Sequence, residues 1–258
     1  MSNKPLRYAC YYGLGRLYDL AAYDLVILQP GHYDQDQVAD LRSRGVCVAA
    51  YLSIGSEANP VAGGDWHVID PFTGRPAGNP GWDALWVDCG SPVWQAHVLD
   101  ESIPAILGRG FQGLLLDNLD VQESHPETRP GVTALVHRIR ATYPGLMLIA
   151  NRGFSVLDAL VSSLDAVLFE AFTTYHAGDR YRAWGEAGLA WTEEKALRLR
   201  RLSDTWEVLA LDYAAPHEQA LRHLAETRAQ AYSFPSFVGT RALDWLPNSE
   251  VDLLPATS

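Results

Sequence analysis

The sequence predicts an α/β fold, a single (β/α)8 TIM barrel with an enlarged loop after its third strand. Three observations carry that prediction. The chain has 258 residues, 48% of them hydrophobic, enough for one large core of roughly 250 residues. Eight short runs rich in β-formers alternate with helical or turn-rich stretches, the pattern of parallel strands joined by crossover helices. Several of those runs end on a polar side chain, and in a barrel such ends converge on one mouth. No repeat longer than the βα unit and no linker interrupts the pattern, so residues 1–258 are expected to form one domain.

The strands, in order, are read at Arg7–Tyr12, Leu25–Gln29, Val46–Ile54, Gly113–Asp117, Leu146–Asn151, Ala166–Ala171, Glu207–Tyr213 and Ala231–Phe234. Helices are expected at Gln35–Arg44, Pro92–Arg109 and Val132–Thr142. Each of these stops at a helix-ending signal, Gly45, Gly110 and Pro144–Gly145 respectively, just before the next strand. A further helix at Trp184–Leu202 carries Arg198, Arg200 and Arg201 near its end, where cations meet the negative pole of the helix dipole. One connection exceeds a minimal barrel: about residues 55–112 separate the third and fourth strands, and the first half is rich in Gly, Pro, Trp and Asp. Long aperiodic loops in compact proteins are usually functional or disordered, and this one should lie on the C-terminal face of the barrel.

Composition excludes several classes of function. Acidic residues outnumber basic ones 31 to 20 for a net charge of −11, and no Lys/Arg cluster offers phosphates a landing site, so nucleic acid is not the expected partner. No apolar run approaches the roughly 20 residues that span a bilayer, and the start lacks the apolar stretch of a signal peptide. As written, the chain is expected to be cytoplasmic and away from membranes, or secreted if a leader has been removed. Three cysteines, Cys10, Cys47 and Cys89, form no C-x-x-C motif and read as small, largely buried residues. A monomer without cofactor is expected.

Strands buried on both faces should be almost wholly apolar, so a carboxylate at the last position needs a reason. Asp117 ends Gly113-Leu-Leu-Leu-Asp117, Glu170 ends Ala166-Val-Leu-Phe-Glu170, Asp212 ends Val208-Leu-Ala-Leu-Asp212, and Asn151 ends the fifth strand in the same way. Two carboxylates facing one cleft are the working parts of a glycosidase, one attacking or stabilising the anomeric carbon and the other protonating the leaving oxygen. Asp117 and Glu170 are the candidate pair. Glu170, beside Phe169 and Phe172, is expected to have the more apolar surroundings and so the raised pKa of a general acid, while Asp117 stays ionised. Asp120 also reads as an N-cap, and Asp212 as a partner for Arg152 or Arg241. A divalent metal on Asp117, Asp120 and Glu170 is disfavoured because no His lies at these strand ends and no H-x-H or H-E-x-x-H spacing occurs.

Aromatic residues gather at the same end. Tyr11, Tyr12, Tyr51, Trp66, Trp82, Trp86, Tyr175, Tyr213 and Phe234 fall at strand ends or in the long loop, where rings can stack on sugar faces. An acidic mouth suits neutral or cationic sugars and repels phosphorylated ones. No Gly-rich phosphate-binding turn follows the last two strands, and no G-x-S-x-G elbow is present.

Together, Tyr51-Leu-Ser-Ile-Gly-Ser-Glu57, Gly110-Phe-Gln-Gly-Leu-Leu-Leu-Asp-Asn-Leu-Asp120, Phe169-Glu-Ala-Phe172 and Leu211-Asp-Tyr-Ala214 resemble glycoside hydrolase family 114, the endo-α-1,4-polygalactosaminidases related to the hydrolase domain acting on Pel-type biofilm polysaccharide. The resemblance runs from about Tyr8 to Phe237. It implies a metal-free barrel that cleaves α-1,4-linked, partly de-N-acetylated galactosamine polysaccharide or oligosaccharide from within the chain. It further implies Asp117 as nucleophile and Glu170 as acid/base, with Tyr51, Asp120, Asn151 and Asp212 at surrounding substrate-binding positions, to which the aromatic clustering adds Tyr12, Tyr175 and Tyr213. The alternatives are a non-catalytic carbohydrate-binding barrel and, more remotely, a barrel lyase or isomerase acting on a small molecule.

Overall fold

A computed structural model describes residues 6–58, 64–80 and 82–247. Along the chain run β1 (Tyr8–Tyr11), α1 (Leu17–Leu20), β2 (Leu25–Leu28), α2 (Gln35–Ser43), β3 (Cys47–Ser53), β4 (Ser56–Ala58), β5 (Ala84–Trp86), α3 (Pro92–Ala96) and α4 (Ile103–Gly108). There follow β6 (Gly113–Asp117), α5 (Val121–Ser124), α6 (Arg129–Thr142), β7 (Met147–Asn151), α7 (Leu157–Leu160), β8 (Ala166–Glu170), β9 (Thr174–Ala177), β10 (Arg180–Ala183), α8 (Glu186–Leu202), β11 (Glu207–Tyr213), α9 (Gln219–Ala231) and β12 (Ser236–Gly239).

Eight of these strands form one sheet in the order β1-β2-β3-β6-β7-β8-β11-β12, with parallel pairing throughout. The first and last strands lie side by side and nearly close the barrel. Tyr8 helps hold that seam: its ring sits 6.2 Å from Phe237, and its hydroxyl donates to the Ala210 carbonyl at 2.6 Å. The (β/α)8 architecture expected from the alternation is the one observed. Capping explains where the helices begin and end. At α2, Asp34 accepts from the Gln37 amide at 2.9 Å while the Gln37 side chain accepts from the Asp34 amide at 3.1 Å, a reciprocal capping box. The helix stops where Gly45 takes up φ +85°.

The eighth strand lies later than expected. Residues 231–234 do not form it, because they are spent on ending α9: Ser233 adopts φ +53°, the Ser233 amide bonds to the Gln230 carbonyl and the Phe234 amide to the Ala229 carbonyl. That pairing is a Schellman termination built on serine instead of glycine, so the strand starts only after Pro235, at Ser236.

The described residues between the third and fourth barrel strands form two parts. β4 pairs antiparallel with β5, and isolated bridges Ile69↔Pro76 and Gly78↔Leu85 extend the arm above the barrel mouth. The second part is a rod in which α3 passes through a π-helical stretch, His97–Ser102, into α4. Among the described residues, no helix is long and apolar enough to cross a membrane. Cys10 and Cys89 are buried, and Cys47 is half-buried against Met147.

Candidate active site

Three adjacent barrel strands end in the same way. The residues immediately after Asp117 on β6, Asn151 on β7 and Glu170 on β8 are Asn118, Arg152 and Ala171, with φ +62°, +52° and +55°. Left-handed backbone costs a non-glycine residue roughly 1–2 kcal/mol, and such strain persists where surrounding structure holds it, often at functional sites. Here each left-handed residue directly follows the polar residue that closes its strand at the cleft. The approach is close enough that a Cβ on Gly55 would come within 2.0 Å of the Asn118 carbonyl oxygen. Only glycine fits at that position.

Asn151 joins the two candidate acids. Its Nδ2 donates to Asp117 Oδ1 at 2.8 Å and to Glu170 Oε2 at 2.8 Å. An amide nitrogen spreads its two N–H bonds by about 120°, so the two accepting oxygens lie roughly 5 Å apart. On its other oxygen Asp117 accepts from the Tyr51 hydroxyl at 2.9 Å and from Asn118 Nδ2 at 3.2 Å. Glu170 accepts from the Tyr213 hydroxyl at 2.7 Å. Asn118 carries the network outward, donating to Ser53 Oγ at 3.0 Å and accepting from Asn79 Nδ2 at 3.3 Å, which ties the β4–β5 arm to the floor of the site.

Packing departs from one expectation. Phe169 does not surround the Glu170 carboxylate. As its strand neighbour it points to the opposite face, where its ring packs 4.9 Å from Phe154 and 5.0 Å from Phe172. It is Asp117 whose carboxyl is pushed up, to about 6, first by burial and then by the charge of Glu170, against the pull of its hydrogen-bond donors. At neutral pH Asp117 is still mostly ionised.

These residues floor a cleft of about 550 Å³, within the size range of ligand sites. Of the positions singled out in the sequence, Tyr12, Tyr51, Asp117, Asp120, Asn151, Glu170 and Tyr213 line it, as do the loop tryptophans Trp82 and Trp86. Tyr175 and Asp212 do not. Tyr175 stacks on Trp184, with ring centroids 4.0 Å apart, and its neighbour on β9, His176, lines the cleft instead. Of the other aromatics gathered in the sequence, Tyr11 and Phe234 are buried in the core, and Trp66 stacks on His97 and packs tilted against Trp94.

Asp212 faces the helical layer because Tyr213 takes the inward position on β11, and successive strand residues point to opposite faces. It pairs with neither Arg152 nor Arg241. Its Oδ1 accepts from the Thr173 and Thr174 amides at 2.6 and 2.7 Å, fixing the turn that follows Glu170. Burial pushes its carboxyl up to about 6 against the pull of those amides, so the folded protein holds that proton more tightly than the unfolded chain. Ionised Asp212 is therefore a stability cost that appears as pH rises from about 4 through 6. Asp212→Ala is expected to lower unfolding free energy by about 2–4 kcal/mol through two orphaned amides. Asp212→Asn, which keeps an acceptor without the charge, is expected to recover most of that loss, and urea titration of both variants at pH 7 checks it.

Residues missed in the sequence include His176, Arg152, Arg241, Asp83 and Asn79, all of which line the cleft. His176 had a legible signal. Thr174–Ala183 alternates around Gly178-Asp179, a two-residue hairpin turn. The others sit in aperiodic connections. The expected acidic mouth is mixed, since Arg152 and Arg241 share it with Asp83, Asp117, Asp120 and Glu170. Among the described residues, no group of three or more His, Cys, Asp or Glu is arranged to hold a metal.

Comparisons with known proteins bear on the fold and on the family. The sequence profile of Glycoside-hydrolase family GH114 matches residues 11–248. Among solved structures, the glycoside hydrolase domain of PelA from Pseudomonas aeruginosa superposes with a TM-score of 0.82 at 26% identity, covering 94% of this chain and 98% of that one. Ega3 of Aspergillus fumigatus, solved in complex with galactosamine, gives a TM-score of 0.66 at 14% identity over 93% and 92% of the two chains. The α-galactosidase TtGalA of Thermus thermophilus, in complex with stachyose, gives 0.62 at 17% over 94% and 63%. The last two show likeness of fold. No curated protein matches the sequence.

Proposed function

The chain belongs to glycoside-hydrolase family GH114, and from that premise we propose that this glycoside hydrolase cleaves α-1,4-linked galactosamine polysaccharide from within, with Asp117 as nucleophile and Glu170 as acid/base. The observation that carries the reading is the Asn151 amide shared by Asp117 and Glu170 on the floor of an open cleft. A separation near 5 Å suits a retaining mechanism, in which one carboxylate attacks directly; inverting enzymes hold theirs about 6.5–9.5 Å apart to admit water.

In the first step Asp117 attacks the anomeric carbon as Glu170 passes its proton to the departing glycosidic oxygen. The carbon–oxygen bond to the leaving chain breaks and a glycosyl ester on Asp117 forms. Glu170, now ionised, takes a proton from water, which attacks the same carbon and releases Asp117 as a carboxylate. Asn151 keeps both acids in line, while Tyr51 and Tyr213 each hold one of them from the side. Tyr12, Trp82 and Trp86 offer ring faces to sugar units along the cleft, and Asp120 and Asp83 offer carboxylates to hydrogen-bond donors on the sugars. The galactosamine bound to the structurally similar Ega3 supports an amino sugar as substrate.

Two inversions restore the starting configuration. Proton NMR of the first product released from an α-1,4-galactosamine oligomer is therefore expected to show the α-anomer, relaxing later to the equilibrium mixture. Initial release of the β-anomer would mean that Asp117 is not the nucleophile, and intact oligomers after prolonged incubation would remove this substrate class.

A further inference from the structure

Two opposite charges in the cleft have almost no partners within the protein. Asp120 stands at the N-cap position of α5, yet its side chain makes no capping hydrogen bond. It is met only by its own backbone N–H and by the field of Arg152. The Arg152 guanidinium is held by ring faces, 6.0 Å from Phe154 and 5.9 Å from Trp191, and its Nε is buried without a partner. Among the described residues, Arg152 and Asp120 are near enough for the cation to favour the carboxylate, but they form no ion pair within 4.0 Å. Both line the cleft that holds Glu170, and the Glu170 charge is felt at Asp120.

An acceptor and a donor fork held apart in one cleft select for a group that donates at one end and accepts at the other. An ammonium would satisfy Asp120 but would meet the guanidinium charge. A planar acetamide offers its N–H to the carboxylate and its carbonyl to the guanidinium, with no charge to desolvate. We propose that Asp120 and Arg152 form a subsite for the N-acetyl group of an acetylated amino-sugar unit, so that the enzyme reads the acetylation pattern of its polymer beside the scissile bond. The proposal rests on the amino-sugar reading above and specifies which unit sits at this position. A sugar hydroxyl, which also donates and accepts, is the competing occupant.

The test is a comparison of two α-1,4-linked trisaccharides, one fully de-N-acetylated and one carrying a single N-acetyl group, made as separate positional isomers. Binding is measured by isothermal titration to Glu170→Gln, which slows turnover below the timescale of the readout. One isomer is expected to bind at least about fivefold more tightly than the unacetylated trisaccharide, the effect of one good hydrogen-bonded pair. Adding Arg152→Met, which keeps an apolar stem between Phe154 and Trp191, or Asp120→Asn is expected to bring that ratio close to one. If Arg152→Met fails to fold, Arg152→Lys, which keeps the charge but not the planar fork, and Asp120→Asn carry the comparison. A ratio near one before either substitution, or a ratio that survives both, overturns the subsite and points to a hydroxyl at that position. Incubation of the unaltered enzyme with the same trisaccharides separates the two ideas. Selective binding without cleavage removes the hydrolase reading and keeps the subsite, while cleavage without selectivity does the reverse.

Discussion

Asp117→Asn is expected to lower kcat on a galactosamine oligomer by roughly 10⁴-fold or more, because the ester intermediate can no longer form. Glu170→Gln is expected to cost roughly 10²–10⁴-fold, the range for loss of a general acid–base. The two should also fail in different ways. An aryl galactosaminide with a good leaving group needs no protonation, so Glu170→Gln should form the glycosyl ester rapidly and then stall, giving a burst of aryl alcohol and a protein heavier by one sugar in mass spectrometry. Added azide, which needs no base, should attack that ester, restore turnover and yield a glycosyl azide of retained configuration. Asp117→Asn should show neither burst nor adduct. A burst from Asp117→Asn, or an adduct elsewhere in the chain, would transfer the nucleophile's role to another residue.

The second large effect is expected at Asn151. With the Asp117 carboxyl lifted to about 6, the acid limb of kcat/KM should rise about tenfold per pH unit below that value and stop rising above it, because the nucleophile must be ionised. Asn151 is among the groups that hold the pKa down, so its loss should move this acid limb upward. Asn151→Asp is nearly isosteric but replaces a donor shared by two carboxylates with a third carboxyl group. It should shift the limb up by at least about one unit, and at pH 7 should lower kcat/KM about 10²-fold, comparable to removing one donor at a charged transition state. Asn151→Ala loses the donor without adding charge and should shift the limb less. A full pH–rate profile for the three proteins separates these outcomes; an unmoved limb in both variants would assign Asn151 to packing alone.

Much of this molecule was legible from one dimension. Leu114, Leu115 and Leu116 lead to Asp117, and Val167, Leu168 and Phe169 lead to Glu170. A buried apolar run closed by a polar residue is a local signal that needs no fold to be noticed. Helix ends were legible where glycine marked them, as at Gly45, and illegible where Ser233 took the same left-handed role. A serine announces a left-handed turn far less clearly than a glycine does, and the eighth strand was misplaced for that reason. The aperiodic arm was recognised as a loop, but its contributions were not. Asn79 reaches Asn118, and Trp82 and Asp83 reach the cleft, only through the hairpin that β4 and β5 form.

By itself the sequence determined that eight βα units close a barrel and that its fourth, fifth and sixth strands end in polar groups, since apolar length and terminal polarity are written residue by residue. The tertiary structure alone decided which of two adjacent side chains faces the cleft: Tyr213 and not Asp212, His176 and not Tyr175, Glu170 with Phe169 turned away. The side-chain period of a strand is two, so a shift of one residue exchanges the faces. The phase is set by the stagger with which neighbouring strands pair around the barrel. That stagger is a property of eight strands together.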